Sequence, residues 1–202
     1  MREVLSLRDT IDAVVIGASA GGVEALSVLL PALPAGTAAA IFVVLHLPRD
    51  RPSLLVDIFA RKCLLEVMEA QDKEPVRPGT VYFAPNDYHL LLDRGPQLAL
   101  SVDELVHHSR PSIDVLFESA ADVYGQRLLG IILTGANDDG AQGLAAVHDA
   151  GGTTVVQDPA TAYASQMVMS ALKIRPPDQV LPLEGIAALL RTLGAQPVPR
   201  GP

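Results

Sequence analysis

The sequence predicts an α/β fold: a doubly wound, mostly parallel sheet with helices on both faces and an antiparallel hairpin in the middle region. Short apolar runs alternate with helix-length segments along the 202 residues. Two of these runs, 13–16 and 40–45, are apolar at every position. A strand that is apolar on both faces is typical of a parallel strand covered by helices on both sides. Parallel neighbours are then joined by right-handed crossovers.

The first third of the chain contains two strands and two helices. Strand 13–16 ends at Gly17, and the following segment 22–33 carries an apolar stripe at helical spacing before prolines end it. The run 40–45 is the second strand. A short helix is expected over 53–60, with Ser53 as its candidate N-cap.

The middle of the chain predicts the hairpin. Segments 79–85 and 89–92 are apolar and flank the turn residues Asn86 and Asp87, so we expect them to pair with each other. A third strand over 97–102 would extend this hairpin.

The alternation resumes in the second half of the chain. The expected elements are a helix over 113–124, a strand over 127–133, a helix over 141–150, a strand over 153–156, a helix over 165–173, a strand over 179–181 and a helix over 183–193. Residues 1–193 are therefore expected to form a single domain. Residues 194–202, rich in proline and glycine, are expected to form a flexible tail.

Composition and charge exclude several classes of protein. The 49% of hydrophobic residues exclude disorder, and the net charge of −8 argues against a basic surface for nucleic acid. The single cysteine, Cys63, excludes a disulfide scaffold and a multi-cysteine zinc site. The first ten residues lack the long apolar region of a signal peptide, and no apolar run reaches about 18 residues, so neither a signal peptide nor a membrane helix is expected. We expect a soluble cytoplasmic protein with no cofactor, no metal and no membrane insertion.

Three polar residues follow predicted strands, where ligands bind in such sheets. Ser19 follows the first strand within GASAGG (17–22), which fits the strand–turn–helix pattern G-x-S-x-G. In that pattern the glycines leave the serine projecting, beside unpaired N–H groups that can stabilise an oxyanion. Two simpler interpretations stay open: Ser19 caps the helix, or the glycine turn holds a phosphate.

His46 follows the second strand and is a candidate general base for a serine nucleophile. Asp138 and Asp139 follow strand 127–133 and are candidates for the carboxylate of a triad. The alternatives are a hydrogen-bonded core histidine and a helix N-cap carboxylate. The order Ser…His…Asp differs from that of α/β-hydrolases. His107 and His108 are interpreted as a solvated loop pair.

A nucleotide-binding module and a catalytically inactive scaffold are the rival functions. Against the first, the chain lacks G-x-G-x-x-G, and His46 stands where an acidic ribose ligand is expected. Against the second, the chain retains a serine, a histidine and a carboxylate at the strand ends.

An ordered set of segments resembles the catalytic domain of the chemotaxis protein-glutamate methylesterases, the CheB family, over almost the whole chain. These segments are VIGASAGG (15–22), VLHLP (44–48), GTVYFAP (79–85) with HL (89–90), RPSIDVLF (110–117), LTG (133–135) with DGA (139–141), GGT (151–153) with QD (157–158), and LPL (181–183).

The resemblance implies hydrolysis of glutamate methyl esters on chemoreceptor signalling helices to glutamate and methanol, and in some members deamidation of receptor glutamines. It implies that Ser19 is the nucleophile, His46 the general base and Asp139 the orienting carboxylate, since the family's acid directly precedes a glycine. The backbone N–H groups of Ala20 and Ala136 are the implied oxyanion-hole candidates.

The chain departs from the family pattern at two dipeptides. Ala136-Asn137 stands where the family usually has Met-Gly, and Met167-Val168 where it has Met-Pro. Because Ser19 lies so near the start, we also expect no receiver domain, and control by a separate receiver protein or none. The alternative function is a stand-alone serine esterase of the same fold that acts on another carboxyl ester.

Overall fold

The structure is a computed structural model that describes residues 11–47 and 54–194. Within these ranges the strands are β1 (Ala13–Ala18), β2 (Ala40–Leu45), β3 (Glu66–Glu69), β4 (Thr80–Phe83), β5 (His89–Asp93), β6 (Gln97–Ser101), β7 (Leu128–Ile132), β8 (Thr153–Gln157) and β9 (Gln179–Leu181). The helices are α1 (Gly22–Leu29), α2 (Leu55–Ala60), α3 (Ile113–Tyr124), α4 (Ala141–Asp149), α5 (Gln166–Ile174) and α6 (Leu183–Arg191).

Seven strands form one parallel sheet in the order β3-β4-β2-β1-β7-β8-β9, which confirms the predicted fold class. Strands β1, β2 and β7 are buried at every position, as their unbroken apolar runs require. Helices α1, α2 and α6 pack on one face of the sheet. Helices α3, α4 and α5 cover the other face together with the β5–β6 pair.

The sheet has its topological switch point beside β1. The chain runs from β1 to β2 on one side and later returns to β7 on the other side of β1. In the register, Ala18 lies opposite Leu45, and Gly17 lies opposite Ile132. The loops after β1, β2 and β7 therefore emerge at one edge, where open α/β sheets bind their ligands.

An antiparallel hairpin lies in the middle region as predicted, but the predicted pairing of 79–85 with 89–92 is wrong. Strand β4 is buried at all four positions and lies inside the parallel sheet, between β2 and β3. At Asp87 (φ 62°) the chain turns out of the sheet, and β5 then pairs antiparallel with β6. The turn of this observed hairpin contains Gly95, which has a φ of 100°. The apolar faces of β4 need cover on both sides, which a two-stranded hairpin does not provide.

The sequence does not predict strand β3, because its short segment EVME carries a glutamate at each end, and of its four residues Val67 alone is buried. Helix α1 ends at Leu29, and Pro31 lies in a 3₁₀ turn that follows. The expected N-cap Ser53 and residues 195–202 of the expected tail lie outside the described residues. In the described ranges no helix is long and apolar enough to cross a membrane.

Candidate active site

The nucleophile candidate and the base candidate lie side by side at the end of the sheet. Ser19 and His46 directly follow β1 and β2, whose backbones are about 4.8 Å apart. The His46 amide donates to the Ala18 carbonyl at 3.1 Å, which continues the strand pairing by one residue. The Ser19 amide donates to the Thr134 carbonyl at 3.0 Å, in the loop that follows β7. All three strand-end loops therefore meet here.

A tight turn presents Ser19 at the surface. The Gly22 amide donates to the Ser19 carbonyl at 2.8 Å, and Gly21 has a φ of 80°, in the left-handed region. A Cβ on Gly22 would lie 2.4 Å from the side chain of Leu45, so this position has no room for one. Ser19 is half-buried, and its hydroxyl makes no hydrogen bond to any residue that the structure describes.

Asp139 binds His46 and is itself fully enclosed. The Nε2 atom of His46 lies 2.9 Å from Oδ2 of Asp139, and the aspartate side chain has no exposed surface. The Ser112 hydroxyl donates to Oδ1 at 2.8 Å. The backbone amides of Ile113 and Asp114 donate to Oδ2 and Oδ1 at 2.7 and 3.0 Å. Four donors thus converge on one carboxylate.

The start of α3 keeps Asp139 ionised. Its first amides have no partner within the helix, and the carboxylate accepts two of them at the positive end of the helix dipole. Burial raises the pKa of the Asp139 carboxyl, but hydrogen bonds from His46, Asp114 and Ile113 outweigh burial and hold the pKa below its ordinary value. A carboxylate only accepts, so Nε2 of His46 carries a proton. Nδ1 is then the nitrogen with a lone pair for general-base work.

Asn137 makes a contact that the sequence did not predict. Its Nδ2 lies 3.1 Å from Nδ1 of His46, and its Oδ1 accepts the Asp139 amide at 3.3 Å. In the sequence this residue is visible only as a departure from the family's Met-Gly.

His89 and Ser112 support the carboxylate from behind, and sequence reasoning gave neither a role. Buried His89 accepts the Ser112 amide at Nδ1 (3.1 Å), and its Nε2 binds the Glu104 carbonyl (3.0 Å). For Ser112 a signal existed, since a serine between a proline and an apolar helical run is a typical N-cap, and it caps α3 here. For His89 the sequence carries no capping signal; it stands out only in the HL segment (89–90) of the family resemblance, which gave it no role.

The two oxyanion-hole candidates lie on loops that are bonded to each other. The Thr134 hydroxyl donates to the Ala20 carbonyl at 2.8 Å, which joins the loop after β7 to the Ser19 turn. Neither the Ala20 amide nor the Ala136 amide donates a hydrogen bond to a described residue. Both amides therefore remain available to an anion.

The expectation that His107 lies in a solvated loop pair is wrong in part. His107 is 42% exposed, yet its Nε2 lies 3.1 Å from Oδ2 of Asp114, which is buried. Burial raises the pKa of Asp114 to about 6, although the hydrogen bond from the Gly143 amide opposes this rise. The described residues contain no group of three side chains that could hold a metal ion.

The match to a family decides the classification. The family model described as CheB methylesterase matches residues 14–190. This chain belongs to the CheB methylesterase family. The crystal structure of the Thermotoga maritima CheB methylesterase catalytic domain is 35% identical, with a TM-score of 0.86 over 91% of this chain and 98% of that one. The resemblance found in the sequence is therefore confirmed.

Curated relatives from the same family carry matching names. A putative protein-glutamate methylesterase/protein-glutamine glutaminase from Leptospira interrogans is 46% identical over 178 residues, which cover 88% of this chain and 92% of that protein. The protein-glutamate methylesterase/protein-glutamine glutaminase 2 of Rhodospirillum rubrum is 43% identical over 187 residues. The match covers 89% of this chain but only 50% of the Rhodospirillum protein.

Proposed function

We propose that this CheB-family chain hydrolyses glutamate methyl esters on chemoreceptor signalling helices, and that the same site deamidates receptor glutamines. The observation that carries the proposal is the bond from His46 to Asp139, with Ser19 on the adjacent strand end. The names of relatives that are 46% and 43% identical support the substrate class. The proposed partners are methylated receptor helices, and the proposed location is the cytoplasm.

In the proposed first half-reaction, Nδ1 of His46 takes the proton from the Ser19 hydroxyl while the serine oxygen attacks the ester carbonyl. Asp139 holds the imidazole ring and stabilises the imidazolium that forms. The amides of Ala20 and Ala136 donate to the tetrahedral oxyanion. His46 then returns its proton to the departing methanol, which leaves a glutamyl ester on Ser19.

In the second half-reaction a water molecule repeats these steps. His46 takes a proton from the water, whose oxygen attacks the glutamyl ester, and the proton passes to Ser19 as glutamate leaves. A glutamine side chain follows the same route, with ammonia as the leaving group. One site thus accounts for both activities named in its relatives.

Methanol release from a methylated chemoreceptor cytoplasmic fragment tests the proposal. The wild type should release methanol, and Ser19→Ala should release it at least about a thousandfold more slowly. Ser27→Ala is the matched control and should keep the wild-type rate. Ser27 lies on α1, and its hydroxyl binds the exposed Lys62.

Two results would contradict the proposal. One is methanol release that Ser19→Ala leaves intact. The other is a folded wild-type protein that releases none from the receptor fragment. Cleavage of small carboxyl esters in that second case would favour the alternative, a serine esterase with another substrate.

A further inference from the structure

The base nitrogen of the proposed triad is already occupied. Nδ1 of His46 lies 3.1 Å from the Asn137 amide nitrogen, whereas the Ser19 hydroxyl has no hydrogen bond to a described residue. We propose that Asn137 caps the general base in the resting enzyme, so that Ser19 is activated only when the Asn137 side chain moves away. This inference rests on the proposed function, because it concerns how the same site is held inactive.

Two neighbouring hydrogen bonds fix which way the amide of Asn137 points. The Asp139 backbone N–H can only donate, so the atom of Asn137 that faces it at 3.3 Å is the oxygen. The NH₂ group therefore faces His46. Nε2 of His46 already donates to the Asp139 carboxylate, so Nδ1 carries the lone pair and accepts from Asn137.

Catalysis is incompatible with this contact. In the first step the O–H bond of Ser19 breaks, its electron pair attacks the carbonyl, and the proton forms an N–H bond at Nδ1 of His46. Nδ1–H would then face the N–H of Asn137, and two donors cannot share one hydrogen bond. The Asn137 side chain must therefore leave before or during the proton transfer.

The position of Asn137 allows this movement. It is half-buried in a bend between two exposed residues, Ala136 and Asp138, rather than in a helix or a strand. Its side chain makes two hydrogen bonds, and the one to the Asp139 amide is long. A substrate that enters over Ser19 can displace it at the cost of about one neutral hydrogen bond.

Charged and titratable groups lie on both sides of His46. Asp139 lies against Nε2, and the Asp114–His107 pair lies behind it at the start of α3. On the other side, Arg110 and His108 line a small cavity that His46 also lines. Arg110 is bonded to Asp87 at 2.8 Å. Substitutions of Asn137 leave all of these groups in place.

The test measures how fast a fluorophosphonate labels Ser19 at pH 7.5. Asn137→Ala removes the cap and should label about two- to twelvefold faster than the wild type, which corresponds to one neutral hydrogen bond. Asn137→Gly, with the residue usual in the family, should also label faster. Asn137→Asp should label more slowly. Its carboxylate would accept a hydrogen bond from a protonated Nδ1 and so stabilise the imidazolium form of His46, which cannot take the Ser19 proton.

A purely structural role for Asn137 predicts the reverse order. The isosteric aspartate would then be nearest to the wild type, and alanine and glycine would be slower. Ser170→Ala is the matched control. It removes the 2.8 Å hydrogen bond to Asp138 in the same loop without touching His46, and should label at the wild-type rate.

A second readout does not depend on activity. In ¹⁵N NMR spectra the His46 Nδ1 resonance should move in Asn137→Ala and stay in place in Ser170→Ala. Unchanged or slower labelling of Asn137→Ala, or an unmoved resonance, would overturn the capping role alone. A labelled protein that releases no methanol from receptor fragments would overturn the proposed substrate instead, so the two failures are distinguishable.

Discussion

At the scale of single residues, Asp139 carries two tasks with one side chain. Its carboxylate accepts the first amides of α3 and the Ser112 hydroxyl, and it also binds His46. Burial raises the pKa of the carboxyl, but the hydrogen bonds from His46, Asp114 and Ile113 outweigh burial and hold it below its ordinary value. The proposed triad is therefore aligned by the same hydrogen bonds that begin a helix.

Asp139→Asn tests this double task. The amide removes the negative charge that stabilises imidazolium, and its NH₂ group must face a donor. We expect the rate of methanol release to fall by about 10³- to 10⁴-fold, together with a lower melting temperature. Asp138→Asn is the matched control, because the side chain of the exposed Asp138 hydrogen-bonds to Gln166 and Ser170 among the described residues. Full activity in Asp139→Asn, or a large loss in Asp138→Asn, would contradict the assignment.

The sequence predicts the candidate-site residues that follow strands, but not those that contact them across the fold. Ser19 and His46 are recognisable because each directly follows an apolar strand. The contacts of His89 with Ser112, 23 positions away, and of Asn137 with His46 depend on how distant loops meet. No local pattern encodes such contacts, and therefore only the structure reveals them.

At the scale of elements, the close packing of α3 on α4 positions the start of α3. Gly143 in α4 allows this approach: a Cβ there would lie 2.6 Å from the side chain of Phe117 and 2.9 Å from the Cα of Asp114. The Gly143 amide also donates to the buried Asp114 carboxyl. Separation of the two helices would therefore move the amides that hold Asp139.

Gly143→Ala should destabilise the protein and slow its release of methanol. Alanine favours a helix by about 1 kcal/mol over glycine, but the clash with α3 should cost about 1–3 kcal/mol. We expect a lower free energy of unfolding in urea and slower methanol release. Gln142→Ala, at an exposed position of the same helix, should change neither. A Gly143→Ala variant with wild-type stability and rate would show that α3 and α4 can separate without cost, and would contradict this prediction.

The bounds of β2 and α3 were predicted without error, because a continuous apolar run marks the first and the Ser112 cap marks the start of the second. The bounds of β9 also match the prediction. The predicted pairing of 79–85 with 89–92 failed for a different reason. Asn86 and Asp87 correctly indicate a turn, but a turn signal does not say which strands pair across it. The partner of β5 is β6, and β4 belongs to the main sheet.

At the scale of the whole molecule, two buried carboxyls near the start of α3, Asp139 and Asp114, make the stability of the protein depend on pH in opposite directions. The lowered pKa of Asp139 contributes stability above its unfolded pKa, and this is lost as acid protonates the folded state. The pKa of Asp114 is raised from 3.8 to about 6, so the folded state binds its proton more tightly. That contribution is present below about pH 4 and is lost as the pH rises to about 6.

Ionised Asp114 destabilises the folded protein above about pH 6, and Asp114→Asn should therefore prevent this destabilisation. The amide mimics the protonated carboxyl and keeps an acceptor for the Gly143 amide. We expect the melting temperature of Asp114→Asn, relative to wild type, to be higher at pH 7.5 than at pH 4. Asp122→Asn, at an exposed position of the same helix, should show no such difference between the two pH values. A difference in melting temperature between Asp114→Asn and wild type that does not change with pH would contradict this explanation.

The parallel sheet as a whole explains why the site lies where it does. Its switch point beside β1 gathers the loops after β1, β2 and β7, and the three proposed catalytic residues come one from each loop. Alternating strands and helices were enough to predict this edge. Control of the proposed activity by a separate receiver protein stays a prediction.

The position of the covalent label after treatment of the folded protein with a fluorophosphonate tests the central claim most directly. Peptide mapping by mass spectrometry should find one label, on Ser19. The label should be absent from Ser19→Ala and formed far more slowly in His46→Gln. A label on Ser27, on Ser112 or on any other serine, or no label at all, would contradict the claim that Ser19 at the end of β1 is the nucleophile.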